Sequence, residues 1–103
     1  MKIFRFITTL GLAFSLGLSP LYADSSKGQR IFRLSCASCH GKQGEKKAVD
    51  QSELINRLQS DEIITALKAR KRGEIKGAGN KVKERLSEKD MQDVAEFIQT
   101  LGR

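Results

Sequence analysis

The only two cysteines and the only histidine of this 103-residue chain fall within one short run, Cys36-Ala37-Ser38-Cys39-His40. No other feature restricts the fold as much. On a helical turn the sulfurs at positions i and i+3 face the same way, and the imidazole follows directly after the second. A C-x-x-C-H run is the attachment signature of a c-type haem. Each sulfur adds to a haem vinyl group as a thioether, and the histidine nitrogen is aimed at the iron. Three rivals are weaker. A Cys36–Cys39 disulfide would close a loop too short to stabilise much. A C-x-x-C redox dithiol expects a βαβ context, and no alternating β-branched run lies nearby. A zinc site needs more Cys or His ligands than the chain owns.

The first 23 residues, MKIFRFITTLGLAFSLGLSPLYA, carry Lys2 and Arg5, then an apolar stretch from Phe6 to about Leu18, then small and helix-breaking residues. That is the order of regions in a secretory signal peptide. The expected cut follows Ala23, although Leu21 is bulkier than an A-x-A site prefers. The alternative is an uncleaved anchor, for which the apolar run is shorter than the roughly 20 residues of a spanning helix. The expected organisation is therefore a signal peptide over 1–23 and one domain over 24–103. It is exported to the periplasm, with no stable membrane insertion after cleavage.

Removing that segment leaves 80 residues and lowers the formal charge from +7 to +5. What remains has two aromatics, Phe32 and Phe97, with no tryptophan and no proline. So small a domain with so few large side chains builds a thin core unless something else fills it. A haem would supply a flat apolar body for helices to pack around.

Along the domain, Asp24 to Ser26 forms a polar lead-in able to cap a helix over 27–34, where Ile31, Phe32 and Leu34 cluster. Gly41 and Gly44 mark a loop after the cysteines. A short helical segment is expected near 52–58, carrying Leu54, Ile55 and Leu58. A firmer helix over 61–71 follows, capped at Ser60-Asp61 and presenting Ile63, Ile64 and Leu67. Gly73, Gly77 and Gly79 then require a loop. Ser87 and Asp90 form a capping-box-like start. Met91, Val94, Ala95, Ile98 and Leu101 share one face of a last helix that Gly102 ends. No convincing strand, repeat or linker is present, so the fold class is all-α.

These residues together resemble a class I cytochrome c of the small bacterial monohaem kind. Gly28 and Phe32 match the Gly and aromatic of that family's first helix, and CASCHG with Gly44 matches its haem site. DEIITALKARKRGEI is similar to its middle helix, and LSEKDMQDVAEFIQTL to its last, with Phe97 as the aromatic. The resemblance implies about four short helices around one covalently bound haem c, with Cys36 and Cys39 as thioether anchors and His40 as axial iron ligand. It also implies that the terminal helices cross, with Gly28 allowing close approach and Phe32 and Phe97 near the crossing.

Two departures stand out. The family's second iron ligand is usually a loop methionine, which raises the reduction potential. Here the methionines are Met1, in the signal, and Met91, on the apolar face of the last helix and read as core. The expected position falls near Gly79, in Gly77-Ala78-Gly79-Asn80-Lys81. Lys81 is a candidate if deprotonated, Asn80 a weak one, Lys76 or Lys83 could swing in, and water or an open site is as good a reading. The second axial ligand is left unknown. The second departure is the lack of a proline near the motif to orient His40; a backbone carbonyl in 48–52 is expected to take the other imidazole N–H.

The expected function is one-electron transfer between redox proteins through haem iron, without substrate chemistry by the chain. The rivals are a haem sensor with an open sixth site and a haem subunit of a larger redox enzyme. Lys68, Arg70, Lys71 and Arg72 suit either an acidic or membrane-bound redox partner or a solvated helix end. Export and the lack of an aromatic-and-basic surface argue against nucleic acid.

Overall fold

The computed structural model describes residues 23–48 and 53–102. All but the last residue of the expected signal peptide, and all but the first of the 48–52 stretch, lie outside them. In order come α1 (Ser25–Ser35), α2 (Ala37–His40), a 3-10 turn (Ile55–Arg57), α3 (Ser60–Lys71), α4 (Asn80–Glu84) and α5 (Glu88–Gln99). Among the described residues there is no strand.

Each long helix starts where a side chain satisfies free backbone N–H groups. The Asp24 carboxylate accepts from the N–H groups of Ser26 and Lys27 at 3.0 and 3.1 Å, which starts α1 two residues earlier than expected. At α5 the expected reciprocal cap is present: Ser87 Oγ accepts from Asp90 N–H, and Asp90 Oδ2 from Ser87 N–H, both at 3.0 Å. At α3 the expected Ser60-Asp61 cap is displaced by one residue. Gln59 is the extended residue, and its N–H donates to the Glu62 carboxylate at 3.1 Å. Asp61 and Glu62 then sit in the first turn, where negative charge suits the helix dipole.

The terminal helices α1 and α5 cross as the resemblance implied. A Cβ on Gly28 would lie 2.1 Å from the Asp93 carbonyl oxygen, so only glycine permits this approach. Beside it the rings of Phe32 and Phe97 meet at 5.6 Å between centroids, tilted by 49°. Phe32, Val94, Ala95, Ile98 and Leu101, with Ile63 from α3, make the core cluster. Met91 is buried as well, at 1% exposure, in agreement with its reading as a core residue.

Polar groups also fasten the domain. Asp93 is wholly buried; its Oδ1 accepts from the Asp24 N–H at 2.8 Å and from the Lys89 ammonium. Lys27 pairs with Asp90 at 2.8 Å. Asn56, also buried, donates to the carbonyls of Gln43 and Gly102 at 3.0 and 3.1 Å, tying the loop after the motif to the end of the domain.

The stretch after α3, expected as loop throughout, contains α4. It packs against α3.

Candidate functional site

The motif sits on the junction of α1 and α2. The Cys36 N–H still donates to the Phe32 carbonyl at 2.9 Å, and the Cys36 carbonyl then accepts from Cys39 and His40 N–H at 3.2 and 3.0 Å. This tight turn brings both thiols and the imidazole together. Gly41 ends it with φ +86°, a conformation open in practice only to glycine. The reversal lets the His40 carbonyl accept from Lys46 N–H at 2.9 Å.

Both cysteines are free; Cys36 is half-buried and Cys39 exposed. Burial pushes the Cys36 thiol up to about 11, against a smaller opposing pull from the Lys83 ammonium. His40 is half-buried, and burial, then Lys83, then Arg70, hold its imidazole below the ordinary histidine range. The neutral ring is the form that ligates a metal. Its Nδ1 is buried and meets no hydrogen-bond partner among the described residues. The carbonyl expected for it within 48–52 falls almost wholly outside those residues.

The electrostatic facing wall comes from the end of α3 and from α4. Arg70 donates to Asn80 Oδ1 at 3.4 Å, and Asn80 Nδ2 donates to the Ile75 carbonyl at 2.6 Å. Lys83 is half-buried. Burial and the nearby Arg70 lower its proton affinity, while Cys36 and Cys39 oppose that shift. Its Nζ lies 2.5 Å from where a Cβ on Gly79 would be.

The sequence-predicted residues Cys36, Cys39 and His40 are thus brought together. Of the amines considered for the distal side, Lys76 and Lys81 are exposed, while Lys83 is half-buried and within electrostatic reach of Cys36 and Cys39. Nothing in the spacing marks it, because which face of a five-residue helix turns inward depends on how α4 lies on α3.

The basic run after Leu67 is more occupied than its sequence suggests. Lys68 pairs with Glu88 at 3.9 Å, Arg70 with Asn80, and Arg72 with Glu74 at 2.9 Å, while Lys71 donates to the Leu86 carbonyl.

These residues fit a haem. Two unpaired thiols and a neutral imidazole lie beside partly covered apolar side chains. Ile31, Ala37, Ile55, Leu58, Ile64 and Leu67 border the core together with Cys36. Ile75 is 41% exposed on the α3–α4 connection. A flat apolar macrocycle is the kind of body that such a rim can cover. Among the described residues no group of three or more His, Cys, Asp or Glu could hold a bare metal ion.

The sequence profile of the Cytochrome c family matches residues 25–102, nearly the whole domain. The chain belongs to the cytochrome c family. It is 34% identical over 96 residues to cytochrome c6 of Synechocystis sp., covering 86% of this chain and 75% of that one. It is 37% identical over 67 residues to cytochrome c-553 of Helicobacter pylori strain J99, covering 64% and 70%. It is 24% identical over 101 residues to cytochrome c-553 of Nitratidesulfovibrio vulgaris, covering 94% and 98%. No solved structure matches it. As a cytochrome c with one C-x-x-C-H run, the chain carries one covalently bound haem c and is an electron carrier.

Proposed function

We propose that this cytochrome c is exported and carries single electrons between redox proteins, with Cys36 and Cys39 as the thioether anchors and His40 as an axial ligand of the iron. The observation that carries this reading is the turn at Cys36, which gathers two free thiols and a neutral imidazole beside an unfinished apolar rim. Bound haem supplies the one-electron ferrous/ferric couple. The chain's own residues set how it is used. The tether keeps the cofactor on a thin core. His40 holds the iron through one nitrogen, which leaves the buried Nδ1 as a donor. Arg70 places positive charge beside the site, which disfavours ferric iron and raises the potential.

The partner surface is read as acidic. Lys42, Lys46 and Lys47 are exposed directly after the motif, so cations border the site where an electron would leave.

Export rests on the signal-like segment 1–23, with cleavage after Ala23. No described helix is long and apolar enough to cross a membrane. Cleavage there would place the new Asp24 amine against the buried Asp93 carboxylate, whose Oδ2 meets no hydrogen-bond partner among the described residues. The attraction of an α-ammonium for that carboxylate would favour this terminus.

Intact mass of the protein recovered from the periplasm tests both halves of the proposal. The expected mass is residues 24–103 plus one haem. A mass without haem, or a chain retaining residues 1–23, would count against it.

A further inference from the structure

Iron held by His40 on one side leaves the other side to be assigned, and few groups remain to fill it. The chain has no second histidine, both thiols serve the tether, and Met91 is 1% exposed within α5. Asn80 has both ends of its amide engaged, with Arg70 and with the Ile75 carbonyl. Lys76 and Lys81 are exposed. Lys83 differs from all of these. It is half-buried, it stands near enough to the motif to act electrostatically on Cys36, Cys39 and His40, and its Nζ occupies the space beside Gly79.

We propose that the Lys83 amine is the second axial ligand of the haem iron, admitted by the missing side chain at Gly79. The proposal rests on the reading of His40 as the first ligand. Gly79 and Lys83 lie one helical turn apart and form a matched pair. A side chain at 79 would begin 2.5 Å from the Lys83 nitrogen, so any other residue there displaces the amine. On binding, the ammonium releases its proton to solvent and the nitrogen lone pair forms the bond to iron; nothing is oxidised or reduced. A nitrogen on both sides closes the iron to small molecules and makes the protein a carrier rather than a sensor.

The test uses the exported holoprotein and three variants, Lys83→Ala, Lys83→Met and Lys81→Ala, each first checked for covalent haem by denaturing-gel haem stain. For the wild type the expected ferric spectrum is low-spin without a methionine-to-iron charge-transfer band, and reduced protein takes up CO slowly. Lys83→Ala is expected to turn high-spin and to bind CO at least tenfold faster. Lys83→Met is expected to restore a low-spin spectrum and to add the methionine band, a rescue that a merely structural lysine would not give. Lys81→Ala is expected to match the wild type.

A high-spin wild type, or a Lys83→Ala spectrum identical to wild type, overturns the proposal while leaving the carrier reading standing. A low-spin Lys83→Ala with Lys81→Ala turned high-spin transfers the role to Lys81 and overturns it equally. Loss of haem stain in the wild type overturns both.

Discussion

The α1–α5 crossing and the wall from Gly73 to Glu84 follow opposite rules. At the crossing, Gly28 touches backbone, two rings meet at a tilt, and the side chains of Val94, Ala95 and Ile98 are shut away from water. The wall is exposed from Gly73 to Ala78, and among the described residues nothing lies within 4 Å of where a Gly73 Cβ would be. One region is closed by its own side chains; the other is left open to solvent. The crossing should therefore govern stability, and the wall should govern the iron.

Substitutions can break that division, and the largest effect belongs to the joint between the regions. Cys36→Ser with Cys39→Ser is expected to abolish covalent haem and, with the thin core uncovered, to remove the cooperative melt seen by circular dichroism. A double variant that melts as sharply as wild type would show that the protein half needs no cofactor. Next come changes at the crossing. Phe32→Ala is expected to lose about 4 kcal/mol of unfolding free energy by denaturant titration. Gly28→Ala is expected to lose about 3 kcal/mol, because its new methyl meets backbone and forces the helices apart. Both should leave the ferric ligand-field spectrum close to wild type in the folded protein. A spectrum that changes with little loss of stability would dissolve the division.

A smaller effect belongs to pH. The Lys27 hydrogen bond, with Ser87 after it, holds the Asp90 carboxyl below its ordinary 3.8. A depressed folded value means stability that is present above the unfolded value and lost as pH falls through the folded one. Asp90→Asn should thus flatten the acid limb of the stability curve below about pH 4 and leave its slope between pH 5 and 8 unchanged. Least of all, Glu74→Ala removes an exposed partner of Arg72 on the wall and should change stability by no more than about 0.5 kcal/mol.

The two regions also differ in how far they could be read from sequence. Ser87 with Asp90, the apolar face of α5, Gly28, and the Phe32–Phe97 pair were all legible. Each is either a local pattern with a fixed spacing or part of a family likeness that runs the length of the domain. The same holds for Cys36, Cys39 and His40 as a cluster. Asn56 was not legible, because its two acceptors, Gln43 and Gly102, lie 13 and 46 residues away in sequence. Nor was α4: one turn of helix offers no period to detect, and Gly77 and Gly79 before it point toward loop. The choice of Lys83 over Lys81 followed from α4 lying on α3, which no spacing in the chain encodes. Gln59 displaced the Ser60-Asp61 cap by a single residue, within the usual uncertainty of a helix boundary.

A redox titration of the holoprotein, followed by haem absorbance, tests the central claim most directly. A single covalently held haem that carries one electron predicts one reversible Nernstian transition with a slope of about 59 mV per decade. A two-electron slope of about 30 mV per decade, with no haem band surviving acid–acetone extraction, would instead make Cys36 and Cys39 a dithiol couple and contradict the account.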